Sequence, residues 1–391
     1  MMTLLVILLA TAQSVFLVFS LYLLLLTVAG LGCRPRPKPA LWPKTRFAVV
    51  IPAHNEEGQL PVLLESLRET GYPRRLFRLF VVADNCSDGT AGVARAHGAE
   101  VFERYDAVSQ GKGHALHWLL EQVHRTGWQP DAYLFVDADC RVSRNFLQAQ
   151  DRRFQGGAQV IQGYYTVADP FQSDVTALRF IALALKHYAR PLGRSRLKLS
   201  CGLFGTGMGL KGSVLDAHPW EAYTLAEDIE YYLELTRRGV LVEFAPEAVV
   251  SSPMPATLKD SGSQNRRWER GRLQMLWQHG PRLLWQGIMK GDFRKIDAVV
   301  EQAIPPLSIT IALVLVLLVA AWSTGRPWLV GLSVATLLAY SGHVVVGLAV
   351  AGAPWRVYRS LVHVPRFVLW KIVVYLQALL PGQHQWTRTR R

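Results

Sequence analysis

Asp137 and Asp139 follow an apolar run at residues 132–136. A run of that length reads as a buried strand, and strand side chains alternate between faces, so residues two apart project together. Two carboxylates then meet at the carboxyl end of a strand, the edge of an open α/β sheet where ligands bind. Hard oxygen donors so placed suit a divalent cation, Mg²⁺ or Mn²⁺, carrying the phosphates of a substrate. A solvated Asp-x-Asp turn has the same composition, so the pair gains chemical meaning only from its neighbours.

Asn55, Glu56 and Glu57 follow a first strand at residues 47–51, and Asp84 follows a second at residues 79–83. All fall at the same sheet edge, where Asp84 is positioned to accept hydrogen bonds from a base or ribose. Turn and helix-cap roles for Asp84, Ser87 and Asp88 compete with that reading. Lys112, between Gly111 and Gly113, can bring a cation to a diphosphate with little steric hindrance, although the spacing is not that of a P-loop.

Glu227 and Asp228 open a helix-like stretch, residues 229–237. A carboxylate there either takes the proton of an attacking hydroxyl or complements a helix start. Gln264, Arg267 and Trp268, spaced i, i+3 and i+4, share one face of a helix. The guanidinium suits phosphate and the indole offers a flat wall to a sugar ring. Arg266, Arg267, Arg270 and Arg272 would equally suit an amphipathic helix lying on a membrane. The glycine-rich stretch 202–209 either lets backbone approach an acceptor or marks tight strand packing.

The elements that must position these residues alternate. Strands at 47–51, 79–83 and 100–102, with helices running to about 70, to 97 and over 111–123, predict an α/β fold with a mostly parallel, Rossmann-like sheet. Apolar segments flank this polar middle. Residues 2–31 predict an uncleaved anchor helix, and residues 305–322 and 328–351 a transmembrane hairpin, whereas the apolar run 367–380 is short for a span and predicts an interfacial helix. The expected organisation is an anchor at 1–32, a Pro-rich basic linker at 33–46, a catalytic domain at 47–285, a hairpin at 303–352, and an interfacial helix with basic tail at 353–391.

Basic clusters follow the anchor and flank the hairpin on both sides. Because positive charge stays inside, three crossings place the catalytic domain in the cytoplasm, as expected of an integral protein of a bacterial inner membrane. The net charge of +14 has no nucleic-acid-binding motif beside it, so anionic membrane lipids, not nucleic acid, are the expected partner. Four cysteines, with no CxxC, predict reduced thiols.

The landmarks Val50-Ile-Pro-Ala-His-Asn-Glu56, Val82-Ala-Asp-Asn-Cys-Ser-Asp-Gly-Thr90, Gly111-Lys-Gly113, Asp137-Ala-Asp139, Glu227-Asp228 and Gln264-Asn-Arg-Arg-Trp268 occur in an order that resembles the membrane-integrated, inverting family 2 glycosyltransferases of GT-A fold. The chain is similar to the cellulose synthase and ceramide glucosyltransferase-like group. The resemblance implies that Pro52, Asn55, Glu56 and Asp84 line the nucleotide-sugar site, with Asp84 on the nucleoside. It implies that Asp137 and Asp139 hold the metal on the diphosphate and that Asp228 is the catalytic base, with Lys112, Glu227, Gln264, Arg267 and Trp268 completing the site. Arg388, in the tail 386–391, resembles part of a closing segment that reaches the diphosphate; a frayed basic end is the alternative. Two departures are evident: Ala83-Asp84 stands where many relatives have paired aspartates, and Ala226 where many have threonine. The expected donor is a UDP-sugar and the expected acceptor a lipid or membrane-proximal glycan. A processive polysaccharide synthase and an inactive scaffold are the alternatives.

Overall fold

The computed structural model describes residues 2–32 and 42–379. In chain order its helices are α1 (Met2–Ala29), α2 (Leu60–Arg68), α3 (Thr90–Ala96), α4 (Lys112–Arg125), α5 (Phe146–Gln155), α6 (Asp174–Ala184), α7 (Arg190–Arg196), α8 (Gly212–Ala217), α9 (Glu227–Arg237), α10 (Leu258–Lys290), α11 (Phe293–Ala303), α12 (Leu307–Ser323), α13 (Pro327–Val350), α14 (Trp355–Arg359) and α15 (Val364–Leu379). A π-helical turn, Leu185–Ala189, joins α6 to α7. Strands β1 (Phe47–Ala53), β2 (Phe77–Asp84), β3 (Glu100–Arg104), β4 (Ala132–Phe135), β5 (Arg141–Val142), β6 (Val160–Val167), β7 (Met208–Lys211) and β8 (Val242–Ser252) form one sheet in the order β3-β2-β1-β4-β7-β6-β8-β5.

The pairs among β1 to β4 are parallel, as is β6 with β8, while β7 and β5 run antiparallel to their neighbours. The expected mostly parallel sheet is therefore mixed in its second half. β1 explains why the parallel half reads as an uninterrupted apolar run. Ala48 and Val50 face one core with Leu116, Leu119 and Val123 of α4, while Phe47, Val49 and Ile51 face the other with Leu60, Leu63 and Leu67 of α2. A strand buried on both faces loses its polar alternation. The chain moves outward from β1 to β3 and then returns to the other side of β1 as β4, which makes the β1/β4 boundary the topological switch point.

The apolar helices gather at one end. The amino-terminal half of α1 packs on the α12/α13 turn through Val6, Leu9, Ala321 and Leu329, and Gln13 donates to Ser333 Oγ at 2.9 Å. At its other end α1 crosses α7 so closely that a Cβ on Gly193 would meet Leu26 O at 1.9 Å. Nearer the sheet, Leu23 of α1 and Tyr340 of α13 pack with Ile304, just before α12.

Thr3–Ala29, Pro327–Val350 and the run Trp355–Leu379 are each long and apolar enough to cross a membrane; α11 and α12, bent by 74°, pass the same test only as a pair. The carboxyl-terminal run is longer than the sequence suggested. Pro365 sits in the first turn of α15, where a missing N–H costs nothing. That helix is also tied to the sheet domain: Lys371 lies 3.0 Å from Glu269 and 2.8 Å from Asn265 Oδ1 on α10. Among the described residues Cys86, Cys140 and Cys201 form no disulfide.

Candidate active site

β4 ends at Phe135, one residue earlier than its apolar run, so strand alternation does not align Asp137 with Asp139. A turn does so instead. Cys140 N donates to Asp137 O at 3.0 Å, and Asp137 N donates to Thr206 Oγ1 at 3.1 Å, so the glycine-rich segment after α7 holds the turn in place.

Lys112, at the start of α4, reaches across this turn. Its Nζ lies 2.6 Å from Asp137 Oδ1 and 3.2 Å from Glu227 Oε1, and it donates to Gly205 O at 2.7 Å. Asp137 Oδ1 has no aligned hydrogen-bond donor, so its contact with Lys112 is an ion pair. Burial pulls the Lys112 pKa down, but Asp137 and Glu227 outweigh it and the ammonium is held more firmly than usual. One cation thereby binds the acids after β4 to those opening α9, which are ninety residues apart in sequence. Gly205, at φ +79°, permits the approach: a Cβ there would lie 3.4 Å from both Asp228 Oδ2 and Lys112 Nζ.

Asp228 occupies the first turn of α9. Burial, and then the neighbouring Glu227 charge, push its pKa up to about 7, against the opposing pull of Lys112. A carboxylate so tuned exchanges a proton near neutrality. On α10, Gln264, Arg267 and Trp268 fall on the inward face as their spacing predicted. Burial lowers the Arg267 pKa, opposed by Glu227 and Asp137, and among the described residues this guanidinium has no ion-pair partner. The neighbouring arginines serve packing: Arg266 donates to Gln377 Oε1 and Arg270 to Ala378 O.

Lys112, Asp137, Asp139, Glu227, Asp228, Gln264, Arg267 and Trp268 all line one cavity of about 910 Å³. Pro52, Asn55, Glu56 and Asp84 do not. Asn55 Oδ1 accepts from Ser87 N at 2.7 Å, and Glu56 N donates to Thr90 Oγ1 at 2.8 Å, which ties the loops after β1 and β2 together. Asp84 Oδ1 accepts from Arg104 Nη1 at 2.6 Å. It thus borders a separate hollow that Arg104, Asp106 and His114 help to line. Arg388 lies outside the described residues. Sequence reasoning missed Thr206, which supports the Asp137 turn, and Arg179 and Lys186 in the cavity wall. The one available signal was the placing of Arg179 and Lys186 within an otherwise apolar helical run.

The family model described as "Glycosyltransferase like family 2" matches residues 43–271, more than half of the chain, a span that includes Asp137, Asp139, Glu227, Asp228, Gln264, Arg267 and Trp268. The chain belongs to this glycosyltransferase family. It is 24% identical over 239 residues to the "Probable glycosyltransferase YdaM" of Bacillus subtilis, covering 58% of this chain and 55% of that protein. It is 31% identical over 135 residues to the 4,4'-diaponeurosporenoate glycosyltransferase of Staphylococcus haemolyticus, covering 32% and 34%. The chain thus spans about a third to just over half the length of these curated relatives. Among solved structures, the mannosyltransferase PcManGT of Pyrobaculum calidifontis, in complex with GDP-Man and Mn²⁺, superposes with TM-score 0.57 at 16% identity, over 97% of this chain and 100% of that one. Its likeness shows a shared GT-A fold.

The cavity's acidic residues fit a divalent cation of the kind bound in PcManGT. Asp137 and Asp139 offer hard carboxylate oxygens, and Asp137 Oδ1 lacks a hydrogen bond. Among the described residues no cluster of three or more His, Cys, Asp or Glu could hold a metal alone, so these two carboxylates suit a cation that shares its coordination with phosphate oxygens and water.

Proposed function

We propose that this glycosyltransferase is an integral protein of a bacterial inner membrane that works on the cytoplasmic face. It moves a sugar from a nucleotide-diphosphate donor, UDP-linked, to a lipid or other membrane-proximal acceptor with inversion at the anomeric carbon. The observation that carries the reading is the single cavity shared by Asp228, Asp137 and Asp139. On its far side the cavity is walled by Ile311, Leu337, Val344 and Phe367 of the apolar helices.

Inversion needs one base and no enzyme nucleophile. Asp228, with its raised proton affinity, takes the proton from an acceptor hydroxyl as that oxygen bonds to the anomeric carbon; the bond to the diphosphate breaks and its electron pair leaves with phosphate. Arg267 and Lys112 face the leaving group as cations. Trp268 walls the sugar, and Gln264, whose buried Oε1 has no partner, accepts a hydrogen bond from it. Asp137 and Asp139 would hold Mg²⁺ or Mn²⁺, which when bound neutralises charge growing on the diphosphate.

Membranes containing the protein, incubated with a panel of labelled nucleotide sugars, should yield one labelled lipid-soluble product, identified by mass. Asp228→Asn should abolish transfer while retaining metal-dependent UDP binding. An active Asp228→Asn enzyme would remove Asp228 from the base role, and long polymer as product would favour a synthase instead.

A further inference from the structure

The cavity wall opposite α10 carries positive charge that the protein does not neutralise. Arg179, on α6, is 4% exposed; its guanidinium lies 5.4 Å from the Trp268 ring centroid, and its Nε and Nη2 have no hydrogen-bond partner. Lys186, on the π-helical turn seven residues later, keeps an exposed side chain and lines the same cavity. It makes no hydrogen bond or ion pair among the described residues. Burial without a partner lowers the pKa of both, that of Arg179 to about 10.

Nearby acids are already engaged. Glu269 pairs with Arg272 at 3.2 Å and Lys371 at 3.0 Å. Glu301 pairs with Arg190 and Arg194, and Asp297 with Arg194. Asp228 is the one further acid within electrostatic range of Lys186, and it forms no ion pair with either cation among the described residues. A buried cation without a counter-charge, as Arg179 is, is costly, by several kcal/mol on general grounds, and is retained where a ligand supplies the anion.

Lys186 lies within electrostatic range of the proposed base Asp228, while Arg179 stands over the Trp268 ring. Lys186 interacts with Glu301, Glu269, Arg272 and Asp228, whereas Arg267 interacts with Glu227 and Asp137. The same cavity continues among apolar side chains of α12, α13 and α15. We infer that Lys186 and Arg179 form a binding site for the anionic headgroup of the acceptor, a lipid bearing a phosphate or carboxylate close to the hydroxyl that Asp228 activates. This rests on the lipid-acceptor reading above and narrows it to one charge class.

The test uses the full chain, purified in neutral detergent, with phosphatidylglycerol and phosphatidylcholine as probes, read by native mass spectrometry. The wild type should retain phosphatidylglycerol at least about tenfold better. Lys186→Gln and Arg179→Gln should each lose about tenfold, Lys186→Arg should restore retention, and the control Arg141→Gln, at an exposed position on β5, should leave it unchanged. Equal retention of both lipids by the wild type, or retention unaffected by Lys186→Gln, would overturn the inference. UDP binding with Mn²⁺, measured on the same variants, separates the sources of the anion: unchanged affinity supports an acceptor headgroup, and a tenfold loss in Lys186→Gln assigns the cations to the donor diphosphate and refutes the proposal. Absence of UDP binding in the wild type would instead sink the underlying glycosyl-transfer reading.

Discussion

Asp228 should impose an acid limb on transfer, and its neighbour Glu227 should set where that limb falls. With a pKa of about 7, the base is about 9% deprotonated at pH 6 and about 90% at pH 8, so kcat/KM should fall with unit slope below neutrality. Glu227→Gln deletes the second contributor to the shift and leaves the first, burial. For two carboxylates roughly 6 Å apart, Coulomb's law gives about 2.8 kcal/mol at an effective dielectric of about 20 and about 0.7 kcal/mol in water, which is about 2 and about 0.5 pH units. The midpoint should therefore move down to between about 5 and about 6.5, remaining above an ordinary aspartate because burial persists. The plateau rate will also drop, since Glu227 helps to hold Lys112, so the assay is the profile's shape: UDP release against pH from 5 to 9, normalised to each enzyme's maximum. A wild-type limb below pH 5, or a Glu227→Gln limb at or above the wild-type position, would refute the assignment of Asp228 as the titrating base.

Gly205→Ala should lower both stability and rate: the left-handed backbone costs about 1–2 kcal/mol for a residue with Cβ, and the methyl crowds Asp228 and Lys112, so a lower Tm together with a depressed kcat is expected. Arg194→Ala should destabilise by about 3–5 kcal/mol, because it leaves buried Asp297 without its cation and Glu301 with Arg190 alone, and a denaturation midpoint equal to wild type would contradict this. Removal of divalent ions with EDTA should stop transfer, and added Mn²⁺ or Mg²⁺ should restore it; full activity in EDTA would show that Asp137 and Asp139 do not act through a metal.

Much of the site was legible because its parts are local. The spacing of Gln264, Arg267 and Trp268 places them on one helical face whatever surrounds them, and α10 delivers all three to the cavity. Asp137 and Asp139 were found for an incomplete reason, since the strand stops at Phe135 and a turn held by Thr206 does the aligning. That hydrogen bond joins residues far apart in sequence and leaves no periodic trace. Asp84 shows the same limit from the other side: its motif is local, but its partner Arg104 comes from the next strand. Lys186 and Arg179 escaped notice because an isolated cation in an apolar helix signals nothing until the acids around it are seen to be committed elsewhere. The mixed second half of the sheet was hidden likewise, since β7 is four residues long and its direction is fixed by pairing with β4 and β6 rather than by its own pattern.

The crossing of α1 and α7, made at the level of backbone by Gly193 and locked by Arg194 against α11, has a mechanical consequence. It ties α7, and through it the sheet domain, directly to α1 and α11. On the proposed lipid-acceptor reading, acceptors would then be selected partly by reach, through the depth at which each carries its hydroxyl.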